Sequence, residues 1–491
     1  MLVFRILVLL LFCFFGIHLQ GQIFDFNDRC NDAYQNIIKL KLKEGKNLLS
    51  AEQTIQPNNL IVTFLFSYVD FLEVYTSGSV KLYEHKKKGL ENRIAQLKTG
   101  DKQSPYYLYT QAETHTQSAV LHIKFGEYIS AIFDVKKAVK KLKANQESFP
   151  DFVPNKKSLG MLYTILGSMP QQYQGTLKFL GLSGDLNKGL NMLKGAANNQ
   201  NHLFQHEAAT IYAFMLLHIQ NDPDEAWSVL VSNGFDAKQN LMDAYSLGHI
   251  GIYGNYCDKG IDALLSRPKG SEYSSFPLTD FLLGIGKTYK QDADANTYFR
   301  AFLDQNKGED YLKSAWQKMA WNKITEGDKA SYTKYLNKVS QVGRAVTDTD
   351  KQAAKELKIG VAPNPVLLKA RLLTDGNYLT RALEVLSSQT VNSFKNKYDK
   401  TEYFYRKARI FDKAKQFDKA IQYYQITIAN GRSVPYYYAA NSAYLLGFLF
   451  EQQENFTEAI KNYNLCLSLD GYEYENSIHQ KAAAALNRLN E

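Results

Sequence analysis

The chain has 491 residues, 45% of them hydrophobic and 13% aromatic, with only 11 prolines. Such a composition can bury a large core and interrupts few helices, which excludes a disordered protein. A formal net charge of +9 is mild for this length; spread along the chain, it argues against nucleic acid as a partner.

Residues 1–21 hold one basic residue, Arg5, then an unbroken apolar run from Ile6 to Ile17, then small and polar residues. This pattern is that of a secretory signal peptide, since the run is shorter than the ~20 residues a spanning helix needs. It places the protein in the periplasm or otherwise outside the cytoplasm. Neither Cys13 nor Cys30 follows the small residues that a lipid-attachment site requires.

Residues 22–104 are expected to form an amino-terminal helical segment. After a short extended start at Ile23–Phe26, helical periodicity runs from Asn27 to Leu49. The stretch from Leu60 to Gly78 is rich in β-branched and aromatic residues, but its length favours a buried helix over a strand. Val80 to Leu97 is a charged helix in which Lys86, Lys87 and Lys88 read as a solvated face. No stretch beyond the leader reads as apolar enough to cross a bilayer, which leaves peripheral association with a membrane surface open.

From residue 105 a ruler applies. Ala119 and Ala131 lie twelve residues apart with Gly126 in a turn between them, and the same spacing returns at Phe214 and Ala226, Gly248 and Gly260, and more loosely Leu283 and Ala295 and Ala320 and Ala330. After a linker or hinge at 347–365, rich in Lys and Asp and ending in Ala362-Pro363-Asn364-Pro365, it returns at Ala370 and Ala382, Ala408 and Ala420, and Gly447 and Ala459. Small residues at this spacing let two antiparallel helices approach closely while large ones fill the space between neighbouring pairs. The array thus covers 105–346, with an irregular insertion at 145–180, and 366–491. The spacing resembles the tetratricopeptide repeat, whose pattern implies an all-α fold: a right-handed α-solenoid of helical hairpins.

Within the irregular part, Phe149–Pro154 is a loop, Gly160 and Gly167 allow an apolar helix to pack closely, and Ser183-Gly184-Asp185 caps a new helix. The order Gly160, Gly167-Ser168, Pro170, Leu180-Gly181-Leu182-Ser183-Gly184-Asp185, Gly189-Leu190 and Leu193 makes residues 158–196 similar to the fungal inclusion-body-clearance proteins and their animal repeat-protein relatives. The likeness departs at Leu182, where those proteins have Phe, and at Tyr163-Thr164, where they have Phe-Asn. It implies a helical repeat protein without catalytic residues to carry over.

No catalytic or cofactor motif is present. His202 and His206 share a helical face, but no third metal ligand is placed with them. Asp222-Pro223-Asp224-Glu225 reads as a helix start, and Cys30, Cys257 and Cys466 as buried free thiols. The chain therefore reads as a non-enzyme whose chemistry is its surface. In stacked hairpins the first helix of each pair lines the inner side, which assigns the partner-binding groove to Arg371, Glu402, Tyr405, Arg409, Lys413, Asn441, Tyr444 and Glu451. The leading expectation is an exported scaffold or adaptor binding a protein or peptide partner there. The alternative is capture of a glycan or small ligand, to which the 33 tyrosines are suited.

Overall fold

The computed structural model describes residues 21–200, 202–472 and 474–490; the expected signal peptide, Gly21 apart, lies outside the described residues. Among these residues the chain forms 25 α-helices, and its only extended pairing is a single bridge between Ile23 and Asn59. The fold class is all-α, a helical-repeat solenoid. The helices fall into two compact units, one comprising residues up to Ser168 with Leu177–Ala209 and Lys269–Ser274, the other Met169–Thr176, Thr210–Pro268 and Ser275–Glu491.

In the first unit Asp28–Ile38 packs on Leu42–Ile55, Leu60–Ser77 on Val80–Leu97, Tyr106–Lys124 on Tyr128–Ser148, and Pro154–Gly167 on Leu186–Ala197. The periodic stretch Asn27–Leu49 is thus split in two, because Leu40 turns the chain at φ 64°. Leu60–Ser77 is capped by the Asn59 side chain and closed by Gly78 at φ 62°. It is long and apolar enough to cross a membrane, contrary to the sequence reading, yet 67% of it is buried within the protein. Asp70 in its middle is held by Lys86 at 2.6 Å and Arg93 at 2.6 Å. Lys87 pairs with Glu127 at 2.6 Å. Two of the three lysines expected on a solvated face are therefore ion-paired, and only Lys88 is exposed.

Four of the glycines of residues 158–196, Gly160, Gly167, Gly184 and Gly189, are where the backbones of two helices and the turn between them touch. A Cβ on Gly160 would stand 2.9 Å from the Gly189 carbonyl oxygen, one on Gly189 2.5 Å from the Thr164 nitrogen, and one on Gly184 2.1 Å from the Gly167 nitrogen. Asp185 caps the second helix by accepting from the Lys188 backbone N–H.

Tyr106–Lys124 is buried on every side from Tyr109 to Ala119 although it is polar: Gln111, Glu113, Thr114, His115, Thr116, Gln117 and Ser118 all lie inside. Glu113 explains part of this. Its carboxylate takes the Lys157 ammonium at 2.7 Å, the Tyr68 hydroxyl at 3.1 Å and the Ser158 hydroxyl, while Glu207 takes the same ammonium at 2.8 Å and the Tyr34 hydroxyl at 3.1 Å. Lys157 is only 1% exposed. Burial alone would push its ammonium down, but Glu113 and Glu207 outweigh it and hold the group above the ordinary lysine range. Replacing Lys157 by Met leaves two carboxylates facing each other without a cation. Urea unfolding is expected to show a loss of about 3–5 kcal/mol, part of which returns when Glu113→Gln is added; an unchanged midpoint for Lys157→Met would contradict the network's role.

In the second unit the hairpins run Leu241–Tyr253 with Cys257–Leu265, Leu278–Lys290 with Ala295–Gln305, Leu312–Thr325 with Lys329–Lys338, Pro365–Asp375 with Leu379–Ser387, Lys397–Lys413 with Phe417–Gly431, and Tyr438–Gln452 with Phe456–Leu467; Glu475–Asn490 follows. The ruler positions Leu283, Ala295, Ala370, Ala382, Ala408, Ala420 and Ala459 are buried. Two positions depart from it: Ala213 rather than Phe214 is the fully buried residue, and Ala330 is exposed while Tyr332 takes the inner place. Asp222 and Pro223 start the helix Pro223–Ser232 as read from sequence, with the Asp222 side chain accepting from the Glu225 N–H. Cys30, Cys257 and Cys466, the first of them in the other unit, are buried and free.

Most of the expected linker is itself a helix, Asp348–Ile359, docked against Leu312–Thr325. Asp350 at its start is fully buried and accepts from the backbone N–H groups of Tyr311 at 2.7 Å and Ser314 at 2.9 Å. One carboxylate therefore satisfies orphan donors at the beginning of the neighbouring helix.

A Cβ on Gly447 would lie 2.7 Å from the Tyr463 ring and 3.2 Å from the Ala459 carbonyl oxygen. Gly447→Leu is expected to lower stability by about 1–3 kcal/mol through overpacking, read as a lower melting temperature. A variant that melts like the parent would refute the close contact.

Candidate ligand-binding face of the second unit

The first helices of the hairpins lie side by side: Leu241–Tyr253 against Leu278–Lys290, that helix against Leu312–Thr325 and Pro365–Asp375, and these in turn towards Lys397–Lys413 and Tyr438–Gln452. These helices are buried on more than one side, Leu278–Lys290 from Thr279 to Gly286 and Leu312–Thr325 from Gln317 to Asn322, so the face they share is made of the few side chains left half-open.

Trp321, only 3% exposed and packed in the core with Ala320, Ile324 and Leu368, lies beneath it. The indole N–H donates to both oxygens of Glu356 at 3.0 and 2.9 Å, and that carboxylate also accepts from Gln317 at 2.6 Å and the Tyr332 hydroxyl at 3.2 Å. Glu356 belongs to the docked helix, which therefore fixes the indole. Two cations stand over the ring: Lys318 Nζ at 3.5 Å and Arg371 Cζ at 5.2 Å from its centre. Lys318 is only 6% exposed and donates to Gln317 at 3.0 Å. Burial, helped by the Arg371 charge, pushes its ammonium down to about 7. Arg371 has Asp375 at 3.6 Å, too long for a good hydrogen bond.

One hairpin further on, Arg406 is locked onto Glu402, with Nε at 2.9 Å and Nη2 at 2.6 Å from the same oxygen, and lies over Tyr405 at 5.3 Å and Tyr438 at 5.7 Å. Asn441 donates to the Tyr405 hydroxyl at 2.7 Å, and Tyr398 and Tyr438 share a hydroxyl contact at 2.8 Å. Towards the other end, His218 and His249 meet Nε2 to Nε2 at 2.8 Å, with Phe214 and Tyr253 each 4.8 Å from the His249 ring. Burial pushes His249 down to about 3 and lowers His218 as well. Both rings are then neutral near pH 7, one donating and one accepting.

The eight residues assigned to the groove from sequence all lie on these first helices, but not all are open. Tyr405 and Glu402 are buried, Tyr405 because it packs in the core of the last hairpins and Glu402 because it neutralises Arg406. Arg409 is half-buried and turned to Asp412 at 3.2 Å and the Tyr424 hydroxyl at 3.4 Å. Lys413 donates to the Thr374 carbonyl at 3.0 Å. Tyr444 packs partly buried against the core, and Glu451, expected to be exposed, is covered by the Tyr463 hydroxyl at 2.6 Å and Arg488 at 2.7 Å. Arg371, at 28%, is no more open than Arg409 at 30%, but like Asn441 it stands half-open beside an aromatic ring, Trp321 for the one and Tyr405 for the other. Sequence reasoning missed Trp321, Lys318, Glu356 and Arg406. Trp321 follows the ruler residue Ala320 directly and could have been placed from it; Glu356 could not, having been read as part of a linker.

Between about pH 7 and the ordinary lysine range the unfolded chain holds a proton that folded Lys318 has lost, so this group makes stability rise with pH across that window. Lys318→Met, which keeps the stem, is expected to be more stable than the parent at pH 6–7, with the difference shrinking steadily towards pH 10. A pH-independent difference in melting temperature would count against the buried charge.

The tetratricopeptide repeat family pattern matches residues 401–425 and 440–472, which are the hairpins Lys397–Gly431 and Tyr438–Leu467. No curated protein matches the chain by sequence. Among solved structures the chain is similar to the human IFIT1 dimer with PPP-AAAA, at 11% identity over 92% of this chain and 98% of that one with a TM-score of 0.35. It is similar to yeast Tom70 at 14% identity over 94% and 89% with a TM-score of 0.24, and to the apo form of the quorum sensor NprR from B. thuringiensis at 14% over 90% and 97% with 0.29. Likenesses this loose carry no ligand or partner across to this chain.

Proposed function

We propose that this protein is an exported, non-enzymatic scaffold that holds an extended protein segment along the first-helix face of its second unit. The observation that carries the reading is the Trp321 station: an indole fixed by Glu356, with Lys318 and the half-open Arg371 over its ring. The half-open Arg371 guanidinium, seated on that buried ring, suits backbone carbonyls and carboxylates, and Arg is among the side chains that most often anchor interfaces. The tetratricopeptide repeats at 401–425 and 440–472 support a protein partner over a chemical substrate. The leader-like residues 1–21 support export to the periplasm or beyond. The likeness of residues 158–196 to the inclusion-body-clearance proteins and their animal relatives belongs to the same proposal: its glycines support a shared way of packing two helices rather than a shared ligand.

The test is recovery of partners from a periplasmic extract by the parent, by Arg371→Ala with Asn441→Ala, and by Lys461→Ala on an exposed second helix as control. Loss of a partner by about tenfold or more in the double variant alone is expected. Equal recovery by all three would remove this face from the function. Oligosaccharide binding without any protein partner would instead favour capture of a glycan.

A further inference from the structure

We infer that the first unit carries a docking surface for an anionic lipid membrane, built on the start of Tyr128–Ser148. Four large side chains on the first two turns of this helix are turned to solvent: Tyr128, Ile129, Ile132 and Phe133 are 56, 73, 38 and 55% exposed. Phe179 stands out further, at 90%. Its loop lies beside the same helix, since a Cβ on Gly181 would come 3.9 Å from Lys136 Nζ. A cluster of this kind is not the scatter of single apolar residues that any surface shows.

Charge decides what covers it. Ile129, Phe133, Lys136 and Lys140 follow one another at helical spacing on a single stripe, so the apolar turns run directly into basic ones. Lys136, Lys137, Lys140 and Lys178 are exposed, and no acidic residue occurs between Val135 and Lys143. The two acids that begin this hairpin point away from the surface. Asp134 is turned inward to His115 Nδ1 at 2.9 Å and His122 Nδ1 at 3.1 Å, and Glu127 is taken by Lys87 at 2.6 Å. The patch thus shows insertable aromatic and branched side chains beside four exposed lysines, of which Lys137 keeps Asp134 at 3.7 Å while Lys136, Lys140 and Lys178 extend the basic side. That combination matches the interface of a bilayer whose headgroups are negative, with apolar tips entering the headgroup boundary and ammonium groups meeting phosphates. It is separate from the face proposed to hold a protein segment.

The experiment is co-sedimentation of the full chain with phosphatidylcholine vesicles, with and without phosphatidylglycerol. Binding is expected only with phosphatidylglycerol and is expected to weaken as salt is raised. Lys136→Glu, Lys137→Glu and Lys140→Glu together should lower the partition coefficient on the order of a hundredfold. Phe133→Ser with Phe179→Ser should lower it by about tenfold or more while keeping the salt dependence. All five positions are exposed, and an unchanged circular dichroism melt shows that the variants fold. Equal binding to neutral vesicles, or undiminished binding of the charge-reversed variant, would overturn the inference. So would a parent that binds no vesicle and instead forms a dimer that the Phe133→Ser, Phe179→Ser variant disperses.

Discussion

Where Gly260 faces Gly248, a Cβ would come within 2.9 Å of a carbonyl oxygen, and the same happens at Gly160 with Gly189 and at Gly447 with Ala459 and Tyr463. The close approach of two antiparallel helices at a point without a side chain is the constraint from which the other features of this fold follow. It sets the distance between helices, and that distance decides which large residues fit between one pair and the next. Tyr463, Tyr424 and Leu446 fill the last hairpins because the small residues beside them leave room. The first helices then come to lie side by side and present a common face. The site depends on the packing and not the reverse.

Charge inside the protein is handled in two ways. Most buried ions are matched: Lys157 by two carboxylates, Arg406 by Glu402, Asp350 by two backbone N–H groups. Glu113 with Glu207, and Glu402, hold Lys157 and Arg406 charged in spite of burial, whereas burial still raises Asp350 against its two N–H donors. Lys318 is treated differently. Its nearest partners are an aromatic face and an amide oxygen, and its proton is held loosely as a result. A buried cation offset only in part, next to a half-open guanidinium, is where a further oxygen ligand gains most.

The hairpins were legible in the sequence because small-residue spacing is a local signal that each copy repeats. Gly447 with Ala459 and Ala408 with Ala420 could be placed from it, and so could the Asp185 and Asp222 caps. Where a tertiary contact replaced the local rule, the ruler failed: Tyr332 rather than Ala330 turns inward, and Ala213 displaces Phe214. Charge content misled in the same manner. Asp348–Ile359 reads as a linker until Asp350 finds two backbone donors in another helix, and Lys86 and Lys87 read as solvated until Asp70 and Glu127 come within reach. The site was half legible. Arg371 and Asn441 follow from helical position alone, but Trp321, Lys318 and Glu356 become a unit only when three helices meet. The burial of Gln111 to Ser118 contradicts every rule of composition and could be learned only from what surrounds it.

Three of the four cysteines, unremarkable as packing, bear on how this chain survives its surroundings. Burial pushes the Cys30 thiol up to about 12, Cys257 to about 11 and Cys466 to about 12. Only the thiolate attacks a disulfide or an oxidant efficiently, so once folded these groups are nearly inert towards both. The same helices that build the repeat thus also hide these three sulfurs, and packing that serves the fold doubles as protection of its thiols.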